Sequence, residues 1–179
     1  KQDHYKVKAA DQQETNQYKA GRGAQINTKN RFLKDEKTKE HIESIDDWKE
    51  SNVPTQYLEQ ESKTIVNKVE SPDVGMMYSM NPYQGCEHGC IYCYARNSFE
   101  YWGYSAGMDF ERKIMVKKNA AVLLRKFLMH PKWQCLPISM SGNTDCYQPA
   151  ERKFRISRQL LEVCNEFNQP VGIITKNAG

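Results

Sequence analysis

No apolar run in the chain approaches the roughly 18 residues that a membrane-spanning helix needs, so no membrane span is expected. The N-terminus, Lys1-Gln2-Asp3-His4-Tyr5, lacks the apolar core of a secretion signal. No cysteine precedes Cys86. Three then crowd into residues 86–93, while Cys135, Cys146 and Cys164 are scattered. An odd-numbered crowd of thiols is a poor disulfide framework, and with it a reducing, cytoplasmic setting is expected. Charge of one sign is also missing. The 26 Lys+Arg against 22 Asp+Glu leave a net of +4, which permits a nucleic-acid partner without arguing for one. No internal repeat or low-complexity tract occurs. The 179 residues suffice for one ordinary domain with a real core. The chain begins at Lys1 rather than at Met and stops at Ala178-Gly179, so a fragment of a longer protein is expected.

What is present is organised around Gly85-Cys86-Glu87-His88-Gly89-Cys90-Ile91-Tyr92-Cys93-Tyr94. The spacing is C-x3-C-x2-C on a glycine-punctuated loop. Glycine allows turns that other residues resist, so three thiolates at these separations can converge on one point. A structural zinc normally takes four closed ligands, often from two paired C-x2-C knuckles, and no second knuckle exists here. A 4Fe–4S cluster accounts better for three thiolates. It leaves one iron without a protein ligand, open to the amino and carboxylate groups of a small molecule. His88 is expected to be a solvent-facing loop residue rather than a fourth ligand.

Residues 1–73 read as a polar, largely irregular extension, extended over another surface or without a fold of its own. Gly21-Arg22-Gly23-Ala24 is a loop signal. The mixed-charge stretches 34–39 and 46–50 show no apolar period. Phe32, Trp48 and Tyr57 are too few to build an independent core. Arg22, Lys29 and Arg31 beside Phe32 suit phosphate contacts and base stacking, although a solvated extension with one anchoring aromatic explains them as well.

The character changes near Ser71-Pro72-Asp73. Val74 to Met80 reads as a buried strand, and the cysteine loop follows its C-terminal end. Phe99 to Phe110 is expected to be an irregular lid or packing segment. Ala120 to Leu128 reads as an amphipathic helix, capped by Asn119 and stopped by Pro131. Leu136 to Met140 is a second strand, followed by the polar turn Ser141-Gly142-Asn143-Thr144-Asp145-Cys146-Tyr147-Gln148-Pro149. Arg158 to Phe167 is a second helix, capped by Ser157. Val171 to Thr175 is a third strand, expected to be buried on both faces. This alternation implies an α/β fold with a parallel sheet and right-handed crossovers. Residues 74–179 then form one domain, with chemistry gathered after the strand ends. Ser141, Thr144, Asp145 and Glu151 offer acceptors for an ammonium there, and Lys176 a donor for a carboxylate. Ordinary turn and surface chemistry accounts for the same residues.

Tyr83 to Arg96, Ser141 to Pro149 and Ile174-Thr175-Lys176-Asn177 together resemble radical S-adenosylmethionine proteins. The likeness is to the bacterial branch related to spore photoproduct lyase, described as DNA-repair-photolyase-like. Gly21-Arg22-Gly23 and Asn30-Arg31-Phe32 resemble the extension before the barrel in one branch of that group. The resemblance implies the first half of a partial (β/α)6 barrel. It also implies that Cys86, Cys90 and Cys93 hold the cluster. Tyr92 and Tyr94 flank Cys93 as in the lyase, and Lys176 matches a Thr-Lys element that contacts S-adenosylmethionine. The lyase places a hydrogen-donor cysteine just before its Ser-Asp pair. Here no cysteine precedes Thr144-Asp145, and Cys146 follows it, which counts against spore photoproduct as the substrate.

The activity implied is reductive cleavage of S-adenosylmethionine to methionine and a 5′-deoxyadenosyl radical, with electrons from a flavodoxin or ferredoxin. Tyr92 would pack near the cluster or adenine. Tyr94 would relay a radical or simply pack, and Cys146 would donate hydrogen or be a buried structural thiol. Two function classes remain open: a radical enzyme acting on a nucleic-acid lesion or another substrate, and a non-catalytic zinc or iron–sulfur module binding nucleic acid.

Overall fold

The computed structural model describes residues 22–32, 54–71 and 75–177. Trp48, the stretches 34–39 and 46–50, and the start of the first expected strand at Val74 lie outside the described residues.

Three strands form where the sequence places them, each shorter than expected. They are β3 (Tyr78–Met80), β6 (Ile138–Met140) and β7 (Val171–Ile173). They pair in parallel, β3 with β6 and β6 with β7. All three residues of β6 are buried, as befits a strand flanked by two others with helices against it. The return from β6 to β7 runs through α3 (Ala150–Phe154) and α4 (Ile156–Glu166). The return from β3 to β6 is longer and ends in α2 (Ala120–Leu128). Buried residues recur at helical spacing, Ala120, Leu124 and Leu128 on α2, and Ile156, Leu160, Val163 and Cys164 on α4. These faces belong to one apolar cluster with Met80, Ile138 and Met140.

Three parts of the sequence reading need correction. First, residues before 73 are not all irregular. β1 (Gln56–Gln60) pairs in parallel with β5 (Lys113–Lys117), and β2 (Val66–Lys68) pairs antiparallel with β3. A two-residue strand, β4 (Tyr83–Gln84), completes the sheet β1-β5-β4. A boundary at 73 therefore cuts through paired strands. β2 and β4 carry too few side chains for an alternating pattern to show.

Second, residues 99–110 form a packing segment that is irregular only over 103–107. A 3-10 helix spans Tyr94–Trp102, and α1 spans Met108–Arg112. Phe99 and Phe110 meet edge to face at 5.6 Å and pack with Ala95, Cys86 and Met115 in a second apolar cluster. Strand β5 separates the two clusters, since Ile114 and Val116 face one and Met115 the other.

Third, Asn119 sits at the N-cap position of α2 but its side chain does not cap the helix, and Ser157 is not the cap of α4. Asn119 makes a two-way hydrogen-bond pair with the backbone of Ser62, its Oδ1 accepting from the amide and its Nδ2 donating to the carbonyl. At α4 the cap position is Arg155, in left-handed conformation at φ 54°. The free amides of Ser157 and Arg158 donate instead to the two carboxylate oxygens of Glu151.

Strand β7 also departs from expectation. Its residues are exposed or half-buried rather than covered on both faces, and it forms the sheet edge next to β6.

Candidate metal centre

The parallel pairing of β3, β6 and β7 puts the chain following each strand at one end of the sheet. The cysteine loop, the Ser141–Pro149 turn and the Thr175-Lys176 segment meet there.

The loop takes its path from two glycines at positive φ, Gly85 at 76° and Gly89 at 63°. A Cβ on Gly85 would stand 2.6 Å from the Lys113 carbonyl oxygen. The Cys86 amide donates to Phe110 O at 2.8 Å, which ties the loop to α1. Gln148, fully buried, grips it from the other side. Its Oε1 accepts from the Glu87 amide and its Nε2 donates to Gly85 O, both at 3.1 Å. A short turn, Cys93 N to Cys90 O at 3.2 Å, sets the spacing of the last two cysteines.

All three thiols are free. Cys86 is buried, and Cys90 and Cys93 are half-buried. Burial pushes the Cys86 thiol up to about 11, while the backbone amides of Asp145 and His88, hydrogen-bonded to it, pull the other way. Amides aimed at a sulfur stabilise it as a thiolate, the form that binds metal. The Lys176 ammonium lies 2.9 Å from Cys90 Sγ and 2.8 Å from the Tyr92 hydroxyl. These two hydrogen bonds raise the pKa of Lys176 and keep it charged. The donor set thus suits a soft metal centre with thiolate ligands. Among the described residues, no three His, Cys, Asp or Glu side chains are grouped tightly enough to hold a single metal ion.

The other candidate residues divide into those at this end of the sheet and those committed elsewhere. Tyr92 is 77% exposed, with Lys176 Nζ 5.1 Å from its ring centre. Tyr94 is exposed too, and its hydroxyl donates to the Gly142 carbonyl. Beside that contact, Gln84, Ser98, Tyr101, Trp102 and Asn143 line an open cavity of about 420 Å³. Asp145 does not offer its carboxylate as a free acceptor. Oδ1 accepts from Tyr147 N and Thr175 Oγ1, both at 2.8 Å, and Oδ2 from Lys176 N at 2.6 Å. It thereby fixes the backbone of Lys176. His88 is not solvent-facing as expected. Its side chain is only 22% exposed, and its Nε2 lies 3.6 Å from Asp145 Oδ2.

Ser141, Thr144, Glu151 and Cys146 hold structure. Ser141, at φ 80°, accepts the Cys146 amide on its Oγ. Thr144 Oγ1 donates to Tyr83 O at 2.9 Å. Besides capping α4, Glu151 accepts the hydroxyl of the buried Tyr83. Cys146 has no exposed surface and belongs to the larger apolar cluster, so it does not line an opening.

Residues passed over in the sequence reading include Arg96, Glu111 and Gln148, all buried against the cysteine loop. Arg96 lies three residues after Cys93, inside the motif-bearing stretch. Glu111 sits in a mixed-charge run that looks like surface.

No family model matches the sequence. Its relatives are proteins described only as uncharacterised. One from Mycobacterium tuberculosis is 35% identical over 115 residues, which is 64% of this chain and 34% of the relative. A protein of Mycobacterium bovis matches to the same extent. One from Methanocaldococcus jannaschii is 29% identical over 126 residues, which is 70% of this chain and 44% of the relative. The chain therefore spans between a third and a half of the length of these relatives. No solved structure matches. Among the described residues, no helix is long and apolar enough to cross a membrane.

Proposed function

We propose that Cys86, Cys90 and Cys93 hold a 4Fe–4S cluster and that the protein is a radical S-adenosylmethionine enzyme of the cytoplasm. The observation that carries this reading is the placement of the three-thiol loop at the C-terminal ends of three parallel strands, with Lys176 at Cys90 Sγ. When bound and reduced, the cluster supplies the electron that splits S-adenosylmethionine into methionine and a 5′-deoxyadenosyl radical.

The residues of this chain divide the remaining work. The three thiolates would hold the cluster. Lys176 carries positive charge beside one thiolate, which favours the reduced state and suits the cofactor carboxylate. Asp145 holds Lys176 in place through the backbone amide. Tyr92 and Tyr94 flank Cys93 and are exposed. An electron donor such as flavodoxin or ferredoxin is required. The open cavity beside Tyr94 is where a substrate would enter, and damaged nucleic acid is the first class to assay.

The test is anaerobic. Protein reconstituted with iron and sulfide, reduced and mixed with S-adenosylmethionine is expected to release methionine and 5′-deoxyadenosine. Lys176→Ala is expected to slow that release at least tenfold. A colourless protein with one zinc per chain and no cleavage would favour the non-catalytic module and end this reading.

A further inference from the structure

Behind the cysteine loop runs a chain of buried polar contacts that neither cluster ligation nor cofactor binding uses. It starts in Arg22–Phe32, one of the two described stretches of the N-terminal extension. Gly23 N and Ala24 N donate to the two carboxylate oxygens of Glu111, at 3.0 and 2.8 Å. Glu111 is fully buried and forms an ion pair with Arg96. Arg96 Nε donates to the Cys90 carbonyl oxygen at 2.9 Å, and its Nη1 donates to Gly107 O at 3.1 Å. Arg22 adds a bond to the Glu111 carbonyl at 2.9 Å. The backbone also packs directly on the loop. A Cβ on Gly23 would fall 1.8 Å from the Gly89 carbonyl oxygen, and one on Gly89 would fall 3.1 Å from Gly23 N. Further along, the Met108 amide donates to Ile26 O, and Asn30 Nδ2 donates to the Glu100 and Tyr104 carbonyls.

We infer that Arg22–Phe32 is a strap that holds the cysteine loop in its metal-binding shape. Gly23 and Ala24, acting through Glu111 and Arg96, position Cys90. The inference rests on the cluster reading above for its metal, but not for its geometry. A buried carboxylate needs its donors, and a buried guanidinium needs its counter-charge. Glu111 has no exposure; Arg96 satisfies part of its carboxylate, and the Gly23 and Ala24 amides supply its remaining donors while the strap is docked. Gly23 serves because no side chain fits between the two backbones. The Cys90 carbonyl is fixed from behind while Lys176 meets its sulfur from the front. Glu111, Arg96 and Gly23 are thus positioning residues, one step removed from the metal ligands.

The test compares wild type with Gly23→Ala, Glu111→Gln, Arg96→Lys and, as a control on the same strap, Ile26→Ala, whose side chain is exposed. Two readouts go beyond folding. The first is the rate at which a chelator removes iron from the reconstituted protein, with the electron-spin-resonance signal of its reduced form. The second is the alkylation rate of Cys90 in the metal-free protein, followed peptide by peptide. Thermal melting of the metal-free protein checks the fold, and Glu111→Gln, which keeps the side-chain volume, serves where Gly23→Ala fails to fold. The strap predicts iron loss at least tenfold faster, an altered signal, and faster Cys90 alkylation in Gly23→Ala and Glu111→Gln. Arg96→Lys should fall between these and wild type, and Ile26→Ala should match wild type. Wild-type iron retention and wild-type Cys90 alkylation in folded Glu111→Gln would overturn the strap. If wild type takes up no iron but Glu111→Gln still exposes Cys90, the strap stands and the cluster reading falls.

Discussion

A single residue can look functional in sequence and turn out to hold the fold. Cys146 follows the second strand in a polar turn, where it reads as a hydrogen donor or a buried structural thiol. The structure buries it completely among apolar side chains. Cys146→Ala is therefore expected to leave cofactor cleavage and product formation unchanged, and to lower stability by about 1 kcal/mol. Equilibrium denaturation and product analysis check the two halves. Lys117 is the reverse case, a charged residue with no place in the motif reading. It is buried and donates to the Asn81 carbonyl at 2.8 Å. Burial lowers its pKa to about 8 from 10.5. The folded state thus releases this proton at a lower pH than the unfolded chain does. At pH 7 both states carry the charge and the full penalty applies. Between about pH 8 and 10.5 the unfolded state binds more protons, so stability from this group rises with pH. Lys117→Met removes the penalty, on the order of 3 kcal/mol. In urea titrations, its advantage over wild type should be largest below pH 8 and shrink towards pH 10.5. An advantage that does not change with pH would show that the lysine is not buried as described.

At the scale of elements, legibility followed length and period. Helix α2 lies over the residues its apolar spacing indicated, and α4 starts two residues before the expected Arg158. The three parallel strands were readable as apolar runs between turn residues. β2 and β4 were not, because pieces of three and two residues carry no period, and their pairing depends on distant partners. Caps were misread for a related reason. A side chain beside a helix start bonds its own helix only if nothing better is near, and Asn119 finds the Ser62 backbone instead. Glu151, read as a cofactor contact, supplies the missing cap of α4 from the neighbouring α3. Glu151→Gln is expected to destabilise the protein by about 1–2 kcal/mol, since it weakens two amide contacts and the Tyr83 contact together. Thermal melting checks this, and a variant as stable as wild type would contradict the capping assignment. Of the site itself, the cysteines and Lys176 were legible from motif and strand order. The buried Arg96–Glu111 pair was not, because a charged residue in a polar stretch gives no sign of burial.

For the molecule as a whole, the outer edge of β7, which pairs with no further strand among the described residues, matters most. Parallel strands are normally covered on both sides, yet Ile173 is 41% and Ile174 53% exposed. An open apolar edge offers backbone groups and side chains to another strand. Residues 1–179 alone are therefore expected to associate as concentration rises, and Ile174→Lys to reduce that association. Analytical ultracentrifugation checks both, and a strictly monomeric wild type would contradict the expectation. The geometry also gives the molecule a direction: the cysteine loop, the 141–149 turn and Lys176 share one end of the sheet.

The central claim is that Cys86, Cys90 and Cys93 together hold one iron–sulfur cluster. Iron and sulfide per chain, measured after anaerobic reconstitution, test it most directly. The account predicts about four of each in wild type, a loss of most of both in Cys86→Ala, Cys90→Ala and Cys93→Ala, and wild-type content in Cys135→Ala and Cys164→Ala. A single zinc per chain, or a cluster that survives Cys90→Ala but is lost in Cys164→Ala, would contradict it.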